Sequence, residues 1–212
     1  MKKISVLTVL VFLLTVNGID AAEKMIRLSF PQKSGGKSIM ECLTLHRSVK
    51  SFLPGKKLSA QHLSNVLYAA DGINRPDNRR TIPTARNLQN QTVYAVLREG
   101  IYQYDPYKHQ LKLVKDGNFI AECGNQSYHK NAAVILIYVS DLKVIGSTSE
   151  GNAACAGTHS GAAAQNVYLY AASEGLGTVI CGNIDEKKLA KMLKLENGKK
   201  VFYIQPIGYP AE

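Results

Sequence analysis

The sequence predicts an α+β fold with a mixed, mainly antiparallel central sheet flanked by helices. Short β-prone segments at residues 92–98, 101–104 and 111–114 are separated only by turns, which is typical of consecutive hairpins. A continuous apolar run at residues 132–139 predicts a central strand that is buried on both faces. Because hairpins dominate the middle of the chain, this class is favoured over a parallel nucleotide-binding sheet.

Two helices are predicted ahead of these strands. The first begins at Ser38 and places Ile39 and Leu43 on one face. The second begins after Ser59, a good N-cap residue, and ends at Gly72. Its inward-facing residues recur at helical spacing: Leu63, Val66, Leu67 and Ala70.

The second half of the chain predicts two further helices and two short strands. Residues 153–174 form a long helix that is rich in small residues, so a neighbouring element is expected to pack closely against it. Asp185 is expected to cap a helix that extends through residue 195. Extended segments are expected at residues 178–180 and 201–204.

Residues 1–22 are predicted to be a secretory signal peptide and not a part of the fold. Lys2 and Lys3 precede an apolar run at residues 4–16, and two alanines at positions 21 and 22 offer small residues for cleavage. Because the run is short for a membrane span, an uncleaved N-terminal anchor is the less favoured alternative. We therefore expect an exported, periplasmic protein with no stable membrane insertion after cleavage.

The remaining chain is expected to form one basic domain. Residues 23–37 are a polar lead-in, and residues 38–212 suit a single domain with a substantial core. The chain holds 26 Lys and Arg against 16 Asp and Glu, and without Lys2, Lys3 and Asp20 the counts are 24 against 15, a net charge of +9. The lysines are dispersed, and their densest group falls on one predicted helix, so we expect no nucleic-acid partner.

The chain lacks the common short motifs of nucleotide, metal and hydrolase sites. It has no G-x-G-x-x-G, Walker A, H-E-x-x-H or G-x-S-x-G sequence, and none of its four cysteines has C-x-x-C spacing. No metal site is therefore predicted, and the pairing of the cysteines stays open. The five histidines are isolated from one another, and His159 beside Ser160 does not by itself indicate a catalytic triad.

HRSVKSF, residues 46–52, is the first of three segments that suit ligand binding. Arg47, Ser48 and Lys50 offer a guanidinium fork, a hydroxyl and a point charge within one short stretch. That combination suits a phosphate with a neighbouring electron-rich group. An equally supported alternative is a helix end whose cations interact favourably with the helix dipole.

Two further segments are rich in amide and backbone donors. PTARNLQ, residues 83–89, follows a polar stretch that is long for a compact domain, and such loops are usually functional or mobile. Asn87 and Gln89 would point the same way if the segment were extended. In GLGTVICG, residues 175–182, the glycines would allow backbone N–H groups to approach a flat ligand closely.

These three segments, in this order, resemble the nitroreductase-like family of flavin oxidoreductases between about Leu45 and Gly208. The likeness is to its short, exported bacterial members and to the dehydrogenase domains of thiazole/oxazole peptide synthesis. HRSVKSF is similar to the family element R-[RH]-S-x-[RK]-x-F, and PTARNLQ is similar to P-[ST]-[AS]-x-N-x-Q. Residues 58–76 resemble the helix after the first element, and residues 161–177 resemble the family's core dimer helix.

The resemblance implies an FMN-binding α+β fold in an interlocked homodimer, with two flavins at the subunit interface. The FMN-binding residues that it implies are His46, Arg47, Ser48, Lys50, Pro83, Thr84, Asn87, Cys181 and Gly182. The first four belong to HRSVKSF, the next three would come from the partner subunit, and the last two would present their backbone to flavin N5.

The same resemblance implies separate roles within HRSVKSF. Arg47 and Ser48 would hold the FMN phosphate. Lys50 would lie at the N1/O2 edge of the flavin, where a cation stabilises the negative charge of the reduced ring. No dedicated nucleophile is expected, because the cofactor carries the chemistry. His46 stands where the family usually has an arginine.

The implied activity is that of an FMN-dependent oxidoreductase. It would work by ping-pong hydride transfer from a reduced donor such as NAD(P)H, through FMN, to a nitro, quinone or other small-molecule acceptor. The alternative is a flavin-binding or scaffold protein without efficient turnover, which His46 in place of a cation favours. A third possibility, oxidation of azoline rings in a modified peptide, is disfavoured by the export signal.

Overall fold

A computed structural model of the chain describes residues 24–146 and 150–211. The strands are β1 (Met25–Arg27), β2 (Gln91–Leu97), β3 (Gly100–Asp105), β4 (Gln110–Asp116), β5 (Val134–Asp141), β6 (Gly177–Thr178) and β7 (Lys199–Gly208). The α-helices are α1 (Ile39–Leu45), α2 (Ala60–Asp71), α3 (Leu142–Ile145), α4 (Glu150–Glu174) and α5 (Glu186–Met192). In these described ranges the strands form one sheet in the order β1-β4-β3-β2-β5-β7-β6.

This architecture confirms the predicted α+β class. The three predicted hairpin strands correspond to β2, β3 and β4, which pair consecutively in the sheet. The predicted apolar strand is β5, which lies between β2 and β7 and is buried along nearly its whole length. Every pairing among the described strands is antiparallel, so the parallel component of a mixed sheet is not found within them.

Side-chain caps fix the starts of three predicted helices. Ser38 and Glu41 form a reciprocal capping box at the start of α1. The Ser59 hydroxyl accepts from the backbone N–H of residue 62 at the start of α2 (3.0 Å). Asp185 caps α5 as predicted, but the helix ends at Met192 and not at residue 195. The left-handed backbone of Lys194, with φ of 54°, is incompatible with a longer helix.

The long helix α4 lies against the sheet through its small residues. Ala156, Ala163, Ala164 and Ala171 are at most 1% exposed, which allows the helix backbone to approach the strands closely. The side-chain amide of Gln205 on β7 donates to the Ala164 carbonyl oxygen (3.2 Å). The predicted close packing of this helix is therefore confirmed, and α4 becomes the element along which the candidate site is organised.

Three parts of the fold were not predicted. β1 lies in the segment described from sequence as a polar lead-in, and it pairs with β4 at the sheet edge. The short helix α3 follows β5 directly. β7 is longer than the predicted strand at residues 201–204 because it pairs with β5 along its length, and this pairing includes Pro206.

The structure does not bear on the predicted signal peptide, because residues 1–22 lie outside the described residues. Within the described ranges, no helix has both the length and the hydropathy that are needed to cross a membrane.

A buried ion pair joins α2 to the loop that precedes β2. The Arg80 guanidinium donates to the Asp71 carboxylate and to the Gln91 carbonyl oxygen (3.2 Å). Asp71 is 1% exposed and Arg80 is 9% exposed. Burial raises the pKa of Asp71 to about 7, although the charge and the hydrogen bond of Arg80 act in the opposite direction. The pair therefore anchors the long polar loop that leads to residues 83–89.

Arg80→Met should lower the free energy of unfolding by about 3–5 kcal/mol, because it leaves the Asp71 carboxylate buried without a partner. Denaturant unfolding at pH 8, where Asp71 is largely ionised, measures this loss. The double variant Asp71→Asn/Arg80→Met also removes the charge of the Asp71 carboxylate, so it should regain part of the lost free energy of unfolding. A loss below about 1 kcal/mol for Arg80→Met would contradict the assigned role of the pair.

Candidate active site

A cleft of about 440 Å³ opens beside the end of α1, the C-terminal part of α4 and β6. Its lining includes His46, Arg47, Tyr168, Gly175 and Thr178. A volume of this size is typical of small-molecule sites. The cleft therefore brings the HRSVKSF segment next to the start of the GLGTVICG segment, two of the three segments singled out from sequence.

Backbone hydrogen bonds hold HRSVKSF in place along this cleft. The Val49 N–H donates to the Thr178 carbonyl oxygen (2.9 Å), and the Leu53 N–H donates to the Tyr209 carbonyl oxygen (2.9 Å). Phe52 is 2% exposed and belongs to the core. The segment is thus attached to β6 at its middle residue and, through the residue that follows it, to the chain just after β7.

The cations of HRSVKSF lie beyond the last turn of α1. That helix ends at Leu45, and its last turn contains no basic residue. The effect of a helix dipole on a charge falls off within the last turn. Arg47 and Lys50 are exposed, and within the described residues neither forms an ion pair. Because neither cation is in an ion pair with a described residue, both remain available to an anion.

Tyr168 connects the two segments through its hydroxyl group. The phenol oxygen lies 3.0 Å from Ser48 Oγ and accepts a hydrogen bond from the Ile180 N–H (3.0 Å). The His46 ring packs on the Tyr168 ring with 4.3 Å between their centroids. The Nε2 atom of His46 is buried and has no hydrogen-bond partner within the described chain. These contacts form a polar cluster around one buried phenol.

Only one of the two predicted backbone donors at residues 181 and 182 is free. The Cys181 N–H donates to the Ile204 carbonyl oxygen (2.8 Å), so it cannot also donate to a ligand. The exposed Gly182 has no acceptor for its N–H within the described residues. Of the two residues whose backbone was expected to face flavin N5, only Gly182 therefore has an N–H that could donate to a ligand. Burial raises the pKa of the Cys181 thiol, while a hydrogen bond from Tyr128 and the charge of Lys50 lower it.

The PTARNLQ segment forms a tight turn and is not extended. Asn87 and Gln89 have φ of 56° and 48°, so the extended conformation in which their side chains would share a direction is not adopted. The Thr84 hydroxyl accepts from the Gln89 N–H (3.0 Å) and its carbonyl accepts from the Asn87 N–H (3.0 Å). None of Pro83, Thr84 and Asn87 lines the cleft within this single chain.

His159 on α4 fixes both ends of that turn. Its Nε2 accepts from the Ala85 N–H (3.0 Å), which makes the other ring nitrogen, Nδ1, the donor to Asn90 Oδ1 (3.1 Å). His159 precedes Tyr168 by nine residues on α4, which is about 14 Å along a helix axis. The turn and the cleft are therefore at different positions along α4.

The neighbours His159 and Ser160 do not form a catalytic pair. The Ser160 hydroxyl is buried, and its single proton has two acceptors within reach, Gln91 Oε1 (3.0 Å) and the Ala156 carbonyl oxygen (3.1 Å). His159 Nε2 lies 3.4 Å from Cys155 Sγ instead. This geometry agrees with the sequence analysis, which assigned no triad.

Sequence reasoning did not identify Tyr168 or His159 as parts of the site. The one available signal for Tyr168 was its size and its hydroxyl group in a helix of mostly small residues. His159 had no signal of its own, because its partners at positions 85 and 90 are brought to it only by the tertiary fold.

The fold and the cleft define a class of protein: a single-sheet antiparallel α+β domain with a cation-rich cleft beside a buried helix. The chain belongs to the nitroreductase family, whose family model matches residues 43–209. The predicted resemblance is thereby confirmed, and the chain is a nitroreductase-type oxidoreductase.

Individual proteins and solved structures are similar to the chain over most of its length. A protein of Methanocaldococcus jannaschii described as a candidate nitroreductase is 28% identical over 184 residues, which cover 81% of this chain and 91% of that protein. The crystal structure of a candidate nitroreductase from Ralstonia eutropha JMP134 has a TM-score of 0.84 at 30% identity, covering 92% of this chain and 93% of the other. The NADPH:FMN oxidoreductase of Vibrio harveyi, solved with NAD⁺, has a TM-score of 0.61 at 20% identity, covering 83% and 70%, and shares the fold.

The His159 contacts predict a loss of stability in acid. Burial lowers the pKa of His159, so the unfolded chain takes up a proton more readily than the folded chain. The contribution of neutral His159 is complete above pH about 6.5 and is lost as the pH falls below it, by at most about 1.4 kcal/mol per pH unit. Denaturant unfolding between pH 7.5 and pH 5 should show a shallower pH dependence for His159→Gln than for the unchanged protein. An identical dependence of the free energy of unfolding on pH in the two proteins would contradict this role of His159.

Proposed function

We propose that the chain is an FMN-dependent oxidoreductase that works by ping-pong hydride transfer. A reduced donor, NADH or NADPH, would be oxidised first, and a nitro, quinone or other small-molecule acceptor would be reduced second. The observation that carries the proposal is a cleft lined by Arg47 and Tyr168, with Ser48 next to Arg47 and within hydrogen-bond distance of the Tyr168 hydroxyl. The cleft adjoins the segment that ends at Gly182, whose N–H has no acceptor within the described residues. The Vibrio harveyi neighbour supports it further, because that protein is an FMN oxidoreductase on the same fold.

The residues around the cleft fit the phosphate of FMN. Arg47 supplies an unpaired guanidinium, and the adjacent Ser48 supplies a hydroxyl, both exposed. Charge-assisted hydrogen bonds of this kind are short and strong. The buried Nε2 of His46, which lacks a partner within the described residues, is a further polar atom that a bound group or a water would satisfy.

The chain's own groups also fit the ring of the flavin. When bound, FMN would supply hydride transfer at N5 and would gain negative charge near N1 and O2 on reduction. The Gly182 N–H would donate to N5. The charge of Lys50 opposes the rise that burial causes in the pKa of Cys181, and it would stabilise an anion near that residue.

A homodimer is part of the proposal. Large apolar side chains on and near α1 are 48–94% exposed in the single chain: Phe30, Ile39, Met40, Leu43 and Leu45. Exposed apolar patches of this kind commonly mark subunit interfaces. In a two-fold dimer, a second copy would cover this surface and would bring its own Pro83, Thr84 and Asn87 to the cleft. This accounts for their separation from the cleft within one chain.

Export to the periplasm belongs to the proposal as well, and it rests on the predicted signal peptide at residues 1–22. The second candidate function, flavin binding without efficient turnover, rests on His46. An imidazole there lacks the permanent charge that an arginine would offer the phosphate. The two functions differ in whether bound FMN can be reduced by a donor and reoxidised by an acceptor.

The direct test is the absorbance spectrum of the purified mature protein, followed by anaerobic titration with NADH and NADPH. We expect flavin absorbance that a nicotinamide donor bleaches and that a quinone or nitro compound restores. Bound FMN that no donor or acceptor can cycle would support the second function instead. A protein that is colourless, and stays so after FMN is added, would contradict both.

Lys50→Ala should lower the reduction potential of bound FMN, because it removes the cation that would stabilise the reduced ring. We expect a decrease of about 20–40 mV, since 30 mV corresponds to about 1.4 kcal/mol in a two-electron couple. The matched control is Lys187→Ala on α5, which removes an equal charge from an exposed position. An unchanged potential for Lys50→Ala, or an equal change in the control, would remove Lys50 from this role.

A further inference from the structure

The hydrogen-bond partners of Tyr168 favour one direction for its single proton. A phenol has one proton and can accept through its oxygen, whereas a backbone N–H can only donate. The Ile180 N–H therefore donates to the Tyr168 oxygen (3.0 Å). The phenol proton is left for Ser48 Oγ, 3.0 Å away, which is the acceptor available to it among the described residues.

This direction frees the proton of Ser48. If Ser48 donated to Tyr168, the phenol proton would have no acceptor in the described part of the chain, and Tyr168 is 6% exposed. Leaving a buried donor unsatisfied costs about 1–3 kcal/mol. With Tyr168 as the donor, the exposed Ser48 hydroxyl keeps its own proton for a group bound next to Arg47.

The backbone supports the same geometry. The Val49 N–H is bonded to the Thr178 carbonyl oxygen (2.9 Å), so the main chain next to Ser48 cannot rotate freely. Arg47, on the other side of Ser48, lines the cleft together with Tyr168. One buried phenol therefore sets the direction of a hydroxyl donor that stands beside a guanidinium.

We propose that Tyr168 is a positioning residue that aims the Ser48 hydroxyl at the phosphate of the flavin and so makes the site prefer FMN over riboflavin. This inference rests on the proposed function. Riboflavin has the same ring and side chain without the phosphate, so it cannot use a donor placed for that group. Ser48 and Arg47 thus account for the preference for FMN over riboflavin, and Tyr168 contributes to it by orienting the Ser48 hydroxyl.

Tyr170 provides a matched control on the same helix. It lies two residues further along α4, about 200° around the helix axis, and it faces a different polar group. Its hydroxyl lies 2.8 Å from His62 Nδ1 and accepts from Asn65 Nδ2 (3.2 Å). Tyr170→Phe therefore removes the same atom from the same element without touching Ser48.

The test compares the dissociation constants of FMN and riboflavin for the apo dimer, measured by flavin fluorescence. Tyr168→Phe should weaken FMN binding about fivefold to tenfold, as expected when one hydrogen bond to a charged group is misplaced, and should change riboflavin binding less than twofold. Tyr170→Phe should leave the ratio of the two constants unchanged. Ser48→Ala should cause the same loss of preference for FMN over riboflavin. The double variant Tyr168→Phe/Ser48→Ala should bind FMN no more weakly than Ser48→Ala alone.

Two results would overturn the inference. Equal weakening of FMN and riboflavin by Tyr168→Phe would make Tyr168 a packing residue only. Additive losses in the double variant would show that Tyr168 and Ser48 act independently. If the unchanged protein binds neither flavin, the proposed function itself fails, and that outcome is distinct from a selective failure of the Tyr168 variant.

Discussion

The backbone hydrogen bonds at Val49 and Leu53 are the constraint on which the candidate site depends. They hold HRSVKSF between β6 and the end of β7, and Phe52 adds an apolar anchor worth about 2–3 kcal/mol of burial. Without these contacts the segment would be an unanchored connection between two helices. With them, the segment is held against β6, from which the chain continues to Gly182. The sheet therefore sets the spacing between the two ends of the proposed flavin site.

Much of the fold was predictable because local sequence and tertiary context agree there. Ser59 and Asp185 act as N-caps where their sequence context predicted them, and the turns between β2, β3 and β4 contain the residues that turns require. The errors occur where tertiary pairing overrides local propensity. β1 is three residues long and exists through its partner β4, and Pro206 lies inside β7 although proline disfavours strands. No local pattern could have revealed either feature.

In the candidate site, too, some residues can be recognised from their sequence neighbours, and others only from the contacts that the fold creates. HRSVKSF carries its chemistry in adjacent residues, so its anion-binding character could be recognised before its position was known. Tyr168 could not be recognised in this way, because its two partners at positions 48 and 180 lie far from it in sequence. The shape of the turn that carries Asn87 was left open by its sequence, and it depends on the hydrogen bonds of His159 to residues 85 and 90. Local spacing thus indicated the kinds of groups present, and the fold determined which of them meet.

A crystal structure of the protein grown with FMN tests the central claim most directly. The account predicts one FMN per chain in the cleft, with its phosphate within hydrogen-bond distance of Arg47 and Ser48 and its N5 facing the Gly182 N–H. It also predicts that Asn87 of a second copy reaches the same flavin. FMN bound elsewhere, or a cleft whose Arg47 and Ser48 side chains face only solvent while FMN is present, would contradict the account.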